Sequence, residues 1–404
     1  MKHLYTLLAL FLVTAFSSCS DDSKFGISTD VEPTQTKAFA TDDGATDLTK
    51  RSEGYIAYKL LKDAGTSVAN SLGYLNITDA QYAEIKQFTR GLVAGCTNDA
   101  QKHDVIFNWI TKNIKYEWGD NDPYAVFINK KGICQGYANL LKVMLHSQNV
   151  PCVIVNGMLN PIGGHAWNYV YYDNKWYVSD PTNNVIYSSG SYNSYSQYAP
   201  TSIDAVLFED DYCTYNYYEG HLNVQSIKAG NESFSIPYSA GGYKISMFNP
   251  SIKAPEGVKE IYVGSNIQSF GENIIGLSKY APSVENIYID PENEFFESYS
   301  AGVYDKNKTG DNLVLIAPAT KHLELKPIVS FDKESKLRNL PFLETLTFVP
   351  GTRKIGAWAV ENCPNLHLVY APAETNIDSG AFSGVASDFF IVRGNFTNIP
   401  QIKY

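Results

Sequence analysis

Gly132-Ile133-Cys134-Gln135-Gly136-Tyr137-Ala138 opens the run whose reading decides the fold. Between Gln135 and Ser147, apolar side chains stand at Ala138, Leu141, Met144 and Leu145, the three-and-four spacing of a helix with one buried face. The spacing predicts a helix opened by Cys134. A cysteine there lies among unpaired backbone N–H groups at the positive end of the macrodipole, and both favour a thiolate over a thiol. Only the thiolate attacks an acyl carbon, so the placement suits a nucleophile. Gly132 and Gly136 leave room for a tight turn into the helix and for close approach of a substrate backbone. Taken alone, a cysteine at a helix start more often packs than reacts.

Two further stretches give it partners. Residues 165–172 and 175–180 are aromatic and β-branched runs separated by Asp173-Asn174, a two-residue hairpin turn. With Tyr172 facing Lys175, His165 falls opposite Thr182 and Asp180 opposite Trp167. His165 and Asp180 then become diagonal neighbours on one face, roughly 7–8 Å apart at the backbone, within reach of a carboxylate–imidazole hydrogen bond. Asp180 would fix the ring tautomer, and Pro181 would end the strand. Cys134, His165 and Asp180 together supply a nucleophile, a base and an orienter. The long gaps between them, without a CxxC or HxxxH pair, disfavour a zinc site, and no segment asks for a metal, nucleotide, flavin or other cofactor.

Gly132–Ala138, Gly164-His165-Ala166-Trp167-Asn168 and Trp176-Tyr177-Val178-Ser179-Asp180-Pro181-Thr182 follow one another in this order. With the lead Trp109-Ile110-Thr111-Lys112-Asn113-Ile114-Lys115-Tyr116, they resemble the core of transglutaminase-like proteins, a branch of the papain-like cysteine enzymes. The resemblance covers roughly residues 75–184. It implies an α+β domain with N-terminal helices and an antiparallel sheet, with Cys134, His165 and Asp180 catalytic. It also implies a thioester on Cys134 formed from a protein or peptide substrate, at a peptide or glutamine amide, and then hydrolysis or transfer to an amine. The Cys134 backbone N–H is the first oxyanion donor. In many bacterial relatives an aromatic residue stands about ten positions before the cysteine, which here is Tyr124. Its hydroxyl either donates to the oxyanion or its ring packs under the nucleophile loop. Gly164 and Trp167 are further support candidates.

The N-terminus reads Met1-Lys2-His3, an apolar run from Leu4 to Phe16, then Ser17-Ser18-Cys19 and Ser20-Asp21-Asp22. This resembles a bacterial lipoprotein signal, with Cys19 as the lipid-bearing new N-terminus; an ordinary signal peptide cut nearby is the alternative. Either places the chain outside the cytoplasm. The lipoprotein reading puts it in the cell envelope, held to the outer membrane by lipid and exposed at the surface. A net charge of −10 without a Lys/Arg cluster excludes nucleic acid as a partner. Beyond Cys19 and Cys134 stand Cys96, Cys152, Cys213 and Cys363, whose spacing implies no disulfide framework. Cys152, in Val150-Pro151-Cys152-Val153-Ile154-Val155, reads as a buried strand residue.

At 404 residues the chain accommodates two or three domains. We divide it into a signal peptide (1–18), a flexible tether (19–52), the transglutaminase-like domain (53–225) and a repeat domain (226–404). Helices are expected around Ile56, Tyr58, Leu60 and Leu61, from a Thr78 cap to Leu92, and from Asn98-Asp99 through Ile114, all backing the Cys134 helix. A tyrosine-rich stretch, 187–218, forms either a groove for sugar or peptide or a loop covering the hairpin. From about residue 245, Ile261-Tyr262-Val263, Leu346-Thr347-Phe348 and Leu368-Val369-Tyr370 share a register with Phe270, Ile355 and Ile377. Leu323, Leu325 and Phe331 stand one residue out of it, and 284–318 looks like a hairpin insertion. The pattern resembles BspA-type leucine-rich repeats, implying a short solenoid over roughly 250–400. Such repeats suit a host or envelope protein, or a glycan. The alternative to an enzyme is therefore a surface adhesin or scaffold without turnover.

Overall fold

Side-chain caps set the start of the second and third described α-helices. The computed structural model describes residues 38–394 apart from 73–74, 189–190, 192–195, 229–231, 250–251, 272–274, 311 and 334–336. The signal peptide with Cys19, residues 20–37, Tyr192 and Tyr195 lie outside the described residues. Helix α1 is Glu53–Ala64 and α2 is Asp79–Leu92. Thr78 and Gln81 close a reciprocal capping box on α2, with bonds of 3.3 and 2.9 Å. Asn98 caps α3, Asp99–Asn113, through a 2.9 Å bond from the Gln101 N–H. Strand β1 (Lys115–Tyr116), helix α4 (Pro123–Asn129), strand β2 (Lys131–Gly132) and helix α5 (Cys134–His146) follow. Among the described residues no helix is long and apolar enough to cross a membrane.

Helix α5 begins at Cys134, but it is buried from Gly136 to Leu145 all round rather than on one face. Its polar positions are satisfied internally. The Lys142 ammonium donates to the carbonyls of Ala69 and Cys152, and the Asn139 amide donates to the Asn121 carbonyl at 2.8 Å. Ile85, Ile106, Phe107, Ile110 and Val126 of α2, α3 and α4 pack on Leu140, Leu141 and Met144. Helix α1 does not back α5, contrary to the expectation. Ile56, Ala57, Leu60 and Leu61 join a different core with Val153, Val155, Trp167 and Tyr169.

Strands β3 (Cys152–Leu159), β4 (Gly163–Tyr172), β5 (Lys175–Asp180), β6 (Val185–Ser188), β7 (Tyr198–Ile203), β8 (Phe208–Glu209), β9 (Cys213–Tyr218) and β10 (His221–Ile227) follow. Among the described residues they lie in the order β10-β9-β7-β3-β4-β5-β6, with β8 on β9. Asp173 and Asn174 both take positive φ, 48° and 60°, as a two-residue hairpin turn requires. The β4–β5 register runs from Tyr172↔Lys175 to Asn168↔Ser179, as the turn position predicts. The sheet is mixed rather than wholly antiparallel. At its far edge β10 pairs in parallel with Met247–Phe248, which pairs in parallel with Ser269–Phe270. Gly157 is fixed by close approach, since a Cβ there would lie 2.1 Å from the Ala199 carbonyl of β7.

The remainder is a β-solenoid of short parallel strands. One ladder aligns Phe234, Ile261 and Ile287; a second aligns Leu323, Leu346, Val369 and Ile391. Coiling thus starts at Ser233–Ser235, before the expected residue 245. Leu346 faces Val369 rather than Leu368, and Leu323 is in register with both. Strand alternation explains the correction: Val369 is fully buried and Leu368 is not, whatever the local leucine spacing suggests. The insertion is a three-stranded antiparallel unit, Phe296–Tyr299, Gly302–Asp305 and Leu313–Ile316, and Asn286–Ile289 before it is a repeat strand. Part of the expected tether is fixed to the first coils. The Thr46 N–H donates to Gly242 O and the Lys244 N–H to Thr46 O, both at 2.9 Å, and Phe39 stacks edge-on against Tyr262.

Candidate active site

Cys134 is the first residue of α5, with Ile133 extended before it, so its own N–H has no intrahelical acceptor. The half-buried thiol packs with Ala138, Ile154 and Ala166. A hydrogen bond with His165 lowers its pKa most. Burial opposes this, and the backbone N–H groups of Ala166 and Gln135 add to the lowering. The contrast with the three buried thiols is in sign. Burial pushes Cys152 and Cys213 up to about 12 and Cys363 to about 11. The five described cysteines are all free.

His165 Nε2 lies 2.8 Å from Asp180 Oδ2, which leaves Nδ1 for the sulfur. Burial alone would drive the imidazole towards neutrality. The Asp180 carboxylate and the Cys134 thiolate outweigh it, and the ring is raised to about 9. Asp180 is fully buried yet held below the usual carboxylate range: desolvation is overcome first by His165, then by Asn183 and Tyr198. Five donors converge on this carboxylate. Oδ1 accepts from the Thr182 and Asn183 backbone N–H groups at 3.1 and 3.2 Å. Oδ2 accepts from His165, the Tyr198 hydroxyl and the Asn183 amide, each at 2.8 Å. So dense a set stabilises the charged form and fixes the orientation of the imidazole.

Asn183 and Tyr198 escaped the sequence reading as site residues. Asn183 follows the strand in a turn, and its only signal is that an Asp-Pro-Thr-Asn run can fold its amides back onto the aspartate. Tyr198 belongs to the tyrosine-rich stretch, but it is a buried strand residue paired with Leu159 rather than a loop or groove residue. Behind β5, Ser179 Oγ lies 2.9 Å from His103 Nε2, and His103 Nδ1 lies 3.2 Å from Asp104. Ser179 and His103 have no exposed surface, so this second Ser–His–Asp grouping braces the strand carrying Asp180 and cannot meet a substrate.

The other candidates divide. The Tyr124 hydroxyl donates to Glu84 at 2.7 Å, which occupies its proton. Trp167 is buried, lies 6.1 Å from the His165 ring at 20° and meets Tyr198 edge-on. Gly164, at the start of β4, faces open space, with nothing within 4 Å of an added Cβ. Gly136 differs: a Cβ there would sit 2.8 Å from Val126 and 3.2 Å from the Asp120 carbonyl. The backbone that glycine admits is the chain's own, not a substrate's.

Residues 86–181 match the family described as the transglutaminase-like superfamily. The kyphoscoliosis peptidases of Mus musculus and Homo sapiens are each 26% identical to the chain over 117 residues, 24% of this chain and 18% of theirs. The chain therefore spans under a fifth of the length of the curated relatives it matches. A solved TGase structure is 20% identical over 29% of this chain and 36% of its own, with a TM-score of 0.23. The pneumococcal vaccine antigen PcpA is 16% identical over 39% of this chain and 44% of its own, with a TM-score of 0.24. Within residues 86–181 the chain carries a core of the transglutaminase-like, papain-like cysteine-enzyme superfamily, and a β-solenoid follows it.

Proposed function

We propose that this chain is an extracytoplasmic thiol enzyme that opens peptide or glutamine amide bonds through a thioester on Cys134. The observation carrying the proposal is the lowered Cys134 thiol bonded to a His165 that Asp180 holds at 2.8 Å. The thiolate attacks the amide carbon while the Cys134 N–H, at the start of α5, meets the developing oxyanion. The His165 imidazolium gives its proton from Nδ1 to the departing amine as the C–N bond breaks. A water, deprotonated by the now neutral imidazole, attacks the thioester, and the C–S bond breaks to release the acid and restore the thiolate–imidazolium pair. The solvent-open flank at Gly164 favours water over an amine as acceptor, with amine transfer the variant of the same chemistry. The name peptidase, borne by the curated relatives, supports a peptide or protein substrate.

The Cys19 pattern supports lipid attachment at the outer membrane, and residues 53–225 act as the catalytic domain with 226–404 as BspA-type leucine-rich repeats. The solenoid carries Phe342, Trp358 and Phe390 half exposed, which favours a second role, the binding of a protein or glycan partner. Incubation of the parent and Cys134→Ala with mixed peptides and glutamine-containing proteins tests the proposal. Product and a Cys134-linked acyl mass should appear in the parent only, with partner capture equal in both. Equal capture with no turnover in either form would make the chain a scaffold.

A further inference from the structure

The end of β4 away from His165 borders a cavity of about 630 Å³, set between the last turn of α1, the β4–β5 turn and the start of β5. Tyr58, Tyr171 and Trp176 line it with rings, Lys62 and Lys175 with ammonium groups, and Asn174 with an amide. His165 and Tyr171 share one face of β4, about 20 Å apart at a strand rise of roughly 3.3 Å per residue. The cavity is therefore separate from the thiol. No carboxylate lines it among the described residues. Asp63, next to Lys62, instead accepts from Lys59 at 2.7 Å and from the Tyr243 hydroxyl. Among the described residues neither Lys62 nor Lys175 forms an ion pair, although the chain carries a net charge of −10. Two uncompensated ammonium groups on one rim make a local positive field.

We propose that this cavity binds a saccharide unit carrying a carboxylate, and so holds the chain on an acidic glycan. The proposal does not depend on the chemistry of Cys134. Tyr171 meets Trp176 edge-on at 5.3 Å, which puts an aromatic wall beside the cations. A sugar packs its C–H face on such a ring, and its carboxylate meets the ammonium pair. Lys62 and Gly65 lie at the C-terminal end of α1, where the last carbonyls lack intrahelical donors, apart from that of Leu61, which accepts from Gly65. Sugar hydroxyls donate to such carbonyls and accept from lysine and asparagine. A polyphosphate matches the site less well, since it brings no donor and meets the negative end of the α1 dipole. The volume lies within the roughly 300–1,000 Å³ of small-molecule sites.

Isothermal titration calorimetry on the full chain tests the site, with digalacturonic acid against galactobiose and sialyllactose against lactose. At least one acid should bind about tenfold or more tighter than its neutral counterpart, and added salt should weaken the acid alone. Lys62→Gln combined with Lys175→Gln should remove about tenfold or more of that affinity. Both lysines are exposed, so the double variant should keep its fold and its iodoacetamide rate at Cys134 within about twofold of the parent. Cys134→Ala should bind the acidic sugar as the parent does. No preference for either acid, or a preference that survives loss of both lysines, overturns the proposal. Acetyl-Glu-Glu amide bound as tightly as the acidic sugars overturns it too, because the site would then read acidic peptide rather than saccharide. Loss of sugar binding in Cys134→Ala is the remaining contrary result, since it places the sugar at the thiol.

Discussion

Asp180→Asn is expected to lower kcat by about 10³- to 10⁴-fold on any substrate the parent turns over, with little change in KM. The substitution is nearly isosteric and keeps the turn, but it replaces the acceptor for His165 Nε2 with an amide that can present N–H instead. The ring then takes the wrong tautomer for Nδ1 to serve the sulfur. It also loses the buried negative charge that raises His165, so the imidazolium that must protonate the leaving amine is less populated. A stability signature accompanies the loss. The Asp180 carboxyl titrates lower in the folded chain than its ordinary 3.8, so the ionised group stabilises the fold above that value. The contribution disappears as pH falls through the folded pKa. Unfolding curves of parent and Asp180→Asn should accordingly converge in acid, and a gap that widens there would contradict the assignment.

His165→Ala is expected to cost at least about 10³-fold in kcat/KM and to change the shape of the pH profile as well as its height. In the parent the competent form is thiolate with imidazolium. Activity should rise as Cys134 ionises, below the ordinary thiol pKa, and fall near pH 9 as His165 loses its proton. Removal of the imidazole should shift the ascending limb upward and abolish the descending one. Folding should follow the same titration with a defined sign. Because His165 is raised above its ordinary 6.5 to about 9, its stabilisation is complete below 6.5 and is lost as pH rises through about 9. A profile in His165→Ala that keeps the parent's limbs would separate the imidazole from the sulfur.

Local chemistry made part of this molecule readable in advance. Thr78 and Asn98 announce their helices because a short polar side chain before an apolar period has one good use there. Asp173-Asn174 sets the hairpin register, and through it the meeting of His165 with Asp180, because two consecutive positive φ values admit few residues. What stayed hidden depends on distant parts of the chain. Asn139 and Lys142 lie outside the apolar spacing of Ala138, Leu141, Met144 and Leu145, and only the carbonyls of Asn121, Ala69 and Cys152, supplied by other elements, allow them inside. Tyr198 reaches Asp180 because β7 pairs with β3, an antiparallel contact with no sequence period of its own. Helix α4 is seven residues long, too short for periodicity to register. In the solenoid, Leu368 drew the alignment by identity, while the parallel ladder selects by parity and seats Val369 opposite Leu346.

The most direct test of the central claim is the rate of Cys134 alkylation by iodoacetamide as a function of pH, in the parent and in His165→Ala, with half-buried Cys96 as internal reference. A thiolate held by imidazolium predicts a Cys134 midpoint well below the roughly 8.5 of a free thiol. That low midpoint should vanish in His165→Ala, while buried Cys152, Cys213 and Cys363 stay silent. A Cys134 midpoint at or above the roughly 8.5 of a free thiol, and the same in both proteins, would contradict the account.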